Sequence, residues 1–309
     1  MAPIETPAAL VSRRTTVLLR ALPGAMAGDA AALHRARVAS RRLRELLPLL
    51  ANAPGKARRR VRTLTRALGR VRELDVALQL LETAELAGAA PQPVLLEARR
   101  HLREQRHARR DAMLTRLHKL NLKKFERRLA TLTEVAAGED AATWRRALAT
   151  RLTRRASRLR QAIVEAGALY VPDRLHAVRI AAKQLRYGLE IAGEVRVRGA
   201  ATLAAAVRRT QLTLGALQDR TVLLREVQEA AARAEDPASR QGLLRLAAVL
   251  EAKARELHAR YLAQRDDLEA AVAAVRQQIV PELVARGRVP LKTTLKTARR
   301  PAAARPARR

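Results

Sequence analysis

One basic pattern occurs twice in the chain at the same internal spacing: His-x-x-Arg-(Val/Ile)-x-x-(Arg/Lys)-x-Leu-Arg. The first copy begins at His34 and the second at His176. Successive residues of an α-helix are about 100° apart, so positions 0, 3, 7 and 10 of the pattern fall within roughly 80° of one another. The pattern therefore predicts two helices, each with one cationic face. These faces consist of His34, Arg37, Arg41 and Arg44 in the first copy, and of His176, Arg179, Lys183 and Arg186 in the second.

The opposite side of each predicted helix is apolar, which is typical of a face buried against other helices. Cations stacked one turn apart repel one another by about a few tenths of a kcal/mol per exposed pair. A basic face without acidic partners therefore indicates that an anion binds from outside. The apolar residues are Ala36, Ala39, Leu43, Leu46, Leu47 and Leu50 in the first copy, and Val178, Ala181, Leu185, Leu189 and Ala192 in the second.

The composition favours an all-α fold. Apolar residues make up 48% of the 309 residues but aromatic residues only 2%, and a core of Leu, Ala and Val suits packed helices better than β-sheets. Pro, Gly and acidic turns divide the chain into eight helical stretches, and we expect Pro48 to kink the end of the second rather than stop it. The stretches are 8–22, 30–51, 56–87, 94–136, 141–168, 173–195, 200–234 and 238–285.

A second motif is also repeated. Leu-Gly-Arg-Val-Arg-Glu-Leu-Asp-Val, which begins at Leu68, is echoed by Leu-Gly-Ala-Leu-Gln-Asp-Arg-Thr-Val, which begins at Leu214. Each copy has a glycine in mid-helix, where it costs about 1 kcal/mol relative to Ala. We therefore expect close helix crossings at Gly69 and Gly215.

These repeats predict two similar units, about 8–136 and 141–285, each a four-helix bundle, related by a pseudo-twofold axis. Residues 286–309 differ in composition, with nine basic residues and no acidic one. A segment with charge and Pro but little to bury is predicted to be disordered. It is either a solubilising tail or a non-specific arm for polyanions.

The net charge of +33 indicates polyanionic partners, without choosing among DNA, RNA, acidic lipid and inorganic phosphate chains. Of the 62 basic residues 54 are arginines; their forked guanidinium groups suit phosphate oxygens, although a GC-rich genome gives the same bias. The absence of cysteine excludes disulfides, thiolate metal sites and cysteine nucleophiles. No signal segment and no apolar run of about 18 residues is found, so we expect a soluble cytoplasmic protein.

The third stretch also has a cationic side, formed by Arg58, Arg62 and Arg66 opposite its apolar residues. If this side meets the first histidine helix, and Arg208 joins the second, a basic groove or channel results. His34 and His176 lead the two cationic faces and can donate hydrogen bonds to phosphate. We therefore expect affinity for a phosphate polymer to strengthen as the pH falls from about 8 to 6.

The sequence gives little support to catalysis or to a bound metal or cofactor. Glu104-x-x-His107 has the spacing of di-iron bundles but lacks the second motif and the further carboxylates that such sites need. No phosphate-binding loop of the Gly-x-x-x-x-Gly-Lys-(Ser/Thr) type occurs. The remaining histidines are interpreted as structural, and Glu73, Asp75 and Asp219 as holding neighbouring arginines. Those histidines are His101, His107, His118 and His258.

These motifs resemble those of the CHAD family, the conserved histidine α-helical domain. The two histidine helices, the second ending at Tyr187, are similar to the helices that open the two halves of that domain. Its Leu-Gly-x-x-Arg-Asp-x-Asp-Val motif is similar to the segment from Leu68, with Glu73 where Asp is usual. Its Leu-Gly-x-Leu-Asn-Asp motif is similar to the segment from Leu214, with Gln218 in place of Asn. The resemblance extends to about residue 285.

The resemblance implies two four-helix bundles around a basic cavity that binds inorganic polyphosphate, and association with polyphosphate granules. Family members are often fused to a triphosphate tunnel domain with a Glu-x-Glu-x-Lys motif. That motif is absent here, so no phosphohydrolase activity is implied. The binding residues carried over by position are His34, Arg37, Arg41, Arg42 and Arg44, with His176, Arg179, Lys183 and Arg186.

The sequence thus predicts a non-catalytic polyphosphate-binding protein. The alternative is a nucleic-acid or nucleoid-binding protein whose basic tail provides the affinity. An enzyme that makes or degrades polyphosphate is disfavoured, because a nucleotide loop and an acidic metal cluster are both missing. The sequence does not determine the oligomeric state.

Overall fold

The computed structural model describes residues 6–51, 55–83, 86, 88–119 and 121–286, without the side chains of residues 70, 118 and 122. Within these ranges the regular structure is helical and no strand forms, which confirms the all-α prediction. The predicted disordered tail, apart from its first residue, lies outside the described residues. The helices are α1 (Pro7–Ala27), α2 (Ala30–Leu46), α3 (Gly55–Leu81), α4 (Gln92–His118), α5 (Leu122–Ala137), α6 (Ala141–Ala166), α7 (Pro172–Glu194), α8 (Ala200–Arg233), α9 (Pro237–Ala263), α10 (Arg265–Ala274) and α11 (Val280–Arg286), with a 3₁₀ turn at Leu47–Leu49 and a π turn at Val275–Ile279.

Aspartate side chains cap the N-termini of three of these helices. Asp29, Asp140 and Asp236 immediately precede α2, α6 and α9, and each accepts a hydrogen bond of 2.7–2.8 Å from a backbone N–H of the first turn. A side chain at this position satisfies one of the N–H groups that the start of a helix leaves unpaired. Asp140 and Asp236 lie in turns predicted from the sequence, and these caps explain why helices begin directly after them.

Several predicted helix limits differ from the structure. The predicted stretch 94–136 is two helices, because Asn121 adopts a left-handed conformation (φ 47°) and caps α5 by accepting from the Lys124 N–H. Helix α1 continues through Pro23 and ends at Gly28, whose φ of 98° suits glycine. Helix α2 ends before Pro48, which lies in the 3₁₀ turn. The last predicted stretch is also interrupted, by a tight turn at Gln264 and by the π turn.

The two apolar clusters of the core are both shared between the halves of the sequence. The larger cluster contains Leu43 of α2 and Leu185 of α7, each completely buried. The smaller cluster joins the second half of α3 and the start of α4 to α8 and α9, through residues such as Leu74 and Leu223. The prediction of one separate bundle per repeat is therefore not confirmed. The predicted backs of the histidine helices are buried in the larger cluster, with Ala181 partly so.

The glycines of the second repeated motif do not mark close helix crossings. A Cβ atom added at Gly215 would have no heavy atom within 4 Å, and one at Gly69 would meet the guanidinium of Arg37 at 3.5 Å. The tight approaches are at Gly24, Gly188 and Gly242. A Cβ at Gly188 would lie 2.7 Å from the Leu152 side chain, and one at Gly24 would lie 2.8 Å from Ala32 Cβ. The crossing prediction was wrong because a glycine in mid-helix can instead make room for a side chain or a cavity.

None of the helices in the described ranges is both long enough and apolar enough to cross a membrane.

Candidate functional site

The cationic faces of α2 and α7 meet across one cavity of about 910 Å³. Their apolar backs are anchored in the larger core cluster, so the charged faces can only point away from it. The three leading residues of each face line the cavity. The structure thus brings six of the predicted site residues together: His34, Arg37, Arg41, His176, Arg179 and Lys183.

The second repeated motif forms further walls of this cavity. Helix α3 contributes Arg72 and Glu73, and α8 contributes Gln218 and Asp219. Gly215 also lines the cavity, in agreement with the open space in front of it. Both repeated motifs of the sequence therefore lie around a single site.

Cations outnumber acidic groups in the cavity lining, by six Arg or Lys residues to three carboxylates. Glu73 Oε1 lies 3.8 Å from Arg37 Nη2 and is half exposed, so it neutralises that guanidinium weakly. Burial raises the pKa of Asp219 in spite of the neighbouring Arg179. The site therefore has an excess of positive charge. The cations are Arg37, Arg41, Arg72, Arg179, Lys183 and Arg225, and the carboxylates are Glu73, Asp173 and Asp219.

Burial among like charges makes the charged forms of these side chains unfavourable. Burial and the neighbouring Arg41 lower the pKa of Arg37 to about 10. Burial and Arg179 lower the pKa of Lys183 to about 6. Burial and Arg72 lower the pKa of His34, and burial likewise lowers that of Arg179. An anion in the cavity would reverse each of these shifts.

Hydrogen-bond donors in the cavity are oriented and in part unused. His176 Nδ1 is hydrogen-bonded to the side-chain oxygen of Gln218, which fixes the imidazole ring. The Nε–H of Arg179 is buried without a hydrogen-bond partner among the described residues. A buried donor of this kind costs free energy until an acceptor reaches it. The cavity is therefore suited to a ligand rich in acceptor oxygens.

Two further basic cavities follow, of which the second adjoins the first and the third adjoins the second. A cavity of about 540 Å³ shares Arg37, Arg41 and Arg179 with the first and adds Arg44 and Arg66. A third, of about 570 Å³, is bordered by α2, α3 and α6 and is lined by nine arginines and Glu45. These arginines are Arg44, Arg58, Arg59, Arg62, Arg66, Arg151, Arg154, Arg155 and Arg158.

Three predicted site residues lie away from these cavities. Arg42, Arg186 and Arg208 line a separate cavity of about 450 Å³ together with Glu190 and Glu194. Arg186 is paired with Glu190 and donates to Gln211 at 2.6 Å, and Arg42 lies 3.5 Å from Glu190. The helical spacing predicted that Arg186 shares the cationic face of α7, but its guanidinium lines this other cavity. There it pairs with Glu190, four residues later, which the prediction did not take into account.

Other lining residues were missed in the sequence. Arg72 lies inside the second repeated motif, between Gly69 and the two acidic residues, and it was not predicted as a binding residue. The basic face of α6 could be predicted from the sequence, because Arg151, Arg154 and Arg158 follow one another at spacings of three and four residues. The sequence does not reveal that this face of α6 meets the start of α3.

One group of side chains in the described ranges has the geometry for a metal ion: ligand atoms of His101, Glu226 and Glu229 lie within 4.8 Å of one another. Glu226 is already paired with Arg109 at 2.8 Å, and Glu229 lies 4.0 Å from Arg225. The His101 Nε2 atom lies 3.6 Å from Glu226, which agrees with the structural role predicted for that histidine. The arginines compensate the carboxylates and so disfavour a cation here.

The predicted structural role of two acidic residues of the second motif is also visible. Asp75 is buried and accepts a hydrogen bond of 2.6 Å from Arg106 of α4. Glu73 lies beside Arg37, as described above. Asp75 therefore holds Arg106 in place, whereas the contact of Glu73 with Arg37 is weaker.

Comparisons with known proteins agree with this architecture. The chain is similar to the crystal structure of the CHAD domain from the plant Ricinus communis, with a TM-score of 0.66, 25% identity, and coverage of 87% of this chain and 91% of that one. It also shares its fold with PptA from Streptomyces chartreusis, with a TM-score of 0.55, 18% identity, and coverage of 88% and 97%. Comparison with curated proteins gave no match. The family model for the CHAD domain matches residues 9–228, and the chain therefore belongs to the CHAD family.

Proposed function

We propose that this protein binds inorganic polyphosphate in the cavity between α2 and α7. The observation that carries the proposal is the convergence of six Arg or Lys side chains, against three carboxylates, on one cavity of about 910 Å³. A linear polyanion supplies the charge that this lining lacks, and membership of the CHAD family supports the same ligand.

The cavity side chains contribute different interactions to the proposed binding. The guanidinium groups of Arg37, Arg41 and Arg179 can each hold two phosphate oxygens, and Lys183 adds a point charge. His34 and His176 donate further hydrogen bonds. Release of counterions from the polymer then makes the binding strongly dependent on salt, as it is for nucleic acids.

The proposed function is binding without turnover. Glu73 and Asp219, the acidic groups nearest the basic cluster, are placed beside arginines, where they orient cations. We further propose that the protein resides in the cytoplasm and associates there with polyphosphate granules.

Affinity for polyphosphate should rise as the pH falls from about 8 to 6. The pKa of Lys183 is about 6 in the free protein, and a bound polyanion raises it, so binding takes up a proton in this range. The affinity should change by up to about tenfold per pH unit and level off below pH 6. Fluorescence titration at constant salt measures this dependence.

Two variants test the assignment to Lys183. Lys183→Arg should keep the affinity but lose much of the pH dependence, whereas Lys183→Met should lose both. The stability of the free protein should depend on pH in the opposite direction. Between pH 6 and 10 the unfolded chain binds more protons than the folded chain, so the free energy of unfolding of the wild type should increase with pH. An affinity for polyphosphate that stays constant between pH 8 and pH 6 would contradict the prediction.

Competition between long-chain polyphosphate and duplex DNA tests the proposed ligand directly. Labelled polyphosphate bound to the full chain at physiological salt should be displaced by unlabelled polyphosphate. Duplex DNA at the same phosphate concentration should displace it poorly, since its phosphates are held on the outside of a stiff double helix and cannot follow the cations into a cavity of about 910 Å³. Equal displacement by the two polymers would contradict a cavity site.

Removal of residues 287–309 separates this function from nucleic-acid binding by the tail. The deletion leaves α11 intact, including Arg286, which donates to the Arg196 carbonyl at 2.9 Å. The shortened chain should retain most of its affinity for polyphosphate. A protein that binds nucleic acid through its tail would instead lose most of its affinity.

A further inference from the structure

The three basic cavities form one continuous surface. The first and second share Arg37, Arg41 and Arg179, and the second and third share Arg44 and Arg66. The order of the three cavities agrees with the course of the chain, because α2 and α3 lie side by side from His34 to the 3₁₀ turn. Along α3, the cationic residues from Arg58 to Arg72 extend over about 21 Å.

Helix α6 forms the far wall of this surface. Two of its arginines are held by Glu45 of α2: Arg151 Nη2 lies 3.0 Å from the carboxylate, and Arg155 is in direct contact with it. The neighbouring Arg154 and Arg158 are exposed and form no ion pair within the described part of the chain. Glu45 therefore fixes the helix beside the cavity and leaves two guanidinium groups available to a ligand.

A different side of the histidine helices, near the same end of α2, has much less unpaired charge. The cavity beside α7 and α8 has three arginines, but Glu190 pairs with two of them, Arg42 and Arg186. Glu194 at the same place is paired with Arg14 at 2.6 Å. The remaining lining there is largely small and apolar, with three alanines of α8. The positive charge is therefore continuous from the central cavity to α6, and it is largely neutralised in the cavity beside α7 and α8.

We propose that a bound polyphosphate chain extends from the central cavity along the third cavity, where Arg154 and Arg158 of α6 bind it, and not along the cavity beside α7 and α8. This extension rests on the proposed function. It gives the two halves of the sequence unequal roles, since α6 of the second half completes a surface that α2 and α3 of the first half begin.

A consequence of this arrangement is a dependence on chain length. A short oligophosphate such as tripolyphosphate fills part of the central cavity and does not reach α6. A long chain contacts both sites, and the second contact increases its affinity because the two sites are joined through one ligand.

The test compares two pairs of exposed arginines. Arg154→Ala/Arg158→Ala removes the proposed contacts, and Arg208→Ala/Arg209→Ala removes the same charge from the α8 side. We expect the first variant to bind long-chain polyphosphate about tenfold more weakly, with a salt slope smaller by about two. Its affinity for tripolyphosphate should be that of the wild type. The α8 variant should bind both ligands almost as the wild type does.

The outcomes separate the extension from the function itself. If the α6 variant binds the long chain as well as the wild type, or if both variants lose affinity equally, the extension is wrong and the central site stands. If the wild type binds neither ligand, the proposed function is wrong and the extension falls with it. Circular dichroism of both variants checks that the helices are intact.

Discussion

Replacing Arg37, Arg41, Arg179 and Lys183 together by alanine should weaken polyphosphate binding by on the order of 10³-fold at moderate salt. These four residues come from both histidine helices and line the same cavity. The slope of log affinity against log salt should fall by about three to four, because that number of phosphate contacts is lost. Titration at several salt concentrations gives both quantities.

The same variant should be at least as stable as the wild type. Burial lowers the pKa of Arg37, Arg179 and Lys183 in the free protein, so the folded state disfavours their charges. Their removal relieves this cost, while the apolar backs of α2 and α7 remain packed in the core. An increase in melting temperature together with a loss of binding distinguishes a binding role from a structural one.

A matched variant controls for net charge. The control also removes three arginines and one lysine, but from exposed positions outside the basic cavities. These residues are Arg103, Lys124, Arg127 and Arg245. Their replacement by alanine lowers the net charge by the same amount. It should reduce affinity only slightly, through the weaker long-range attraction. An equal loss in the two variants would show that binding depends on overall charge and not on the cavity.

The cationic faces were predictable because helical spacing alone determines which residues share a side. His34 and Arg37 are three residues apart and must lie together on any α-helix. Their partners come from other helices, and this pairing depends on tertiary packing. The sequence contains no indication that Glu190 of α7 is close to Arg42 of α2, a contact between residues far apart in the chain.

The limits of the fold prediction have a similar physical origin. Periodicity identified the buried faces, such as that of Leu43, but an apolar face can pack against any other apolar face. The structure uses this freedom to join both halves of the chain in both core clusters. The break at Asn121 was missed because a single residue in the left-handed conformation ends a helix that the hydrophobic pattern continues.

Glu45→Ala should be among the most destabilising single substitutions in the protein. Glu45 is 3% exposed and pairs with Arg151 and with Arg155, which is itself 7% exposed. Its removal leaves a buried guanidinium without a counter-ion, which typically costs about 3–5 kcal/mol. The melting temperature should fall by about 10 °C, as measured by thermal unfolding.

Two comparisons identify buried charge as the cause of this loss. Glu251→Ala makes the same change in a pair with Arg255 whose side chains are 46% and 66% exposed, so it should cost less than about 1 kcal/mol. The double variant Glu45→Leu/Arg155→Met removes both charges of the buried pair and should recover much of the stability lost in Glu45→Ala. Two results would instead attribute the destabilisation by Glu45→Ala to lost packing. One is a similar loss of stability in Glu45→Ala and Glu251→Ala, and the other is no recovery of stability in the double variant. In that case the arginines of α6 would not depend on Glu45 for their position beside the third cavity.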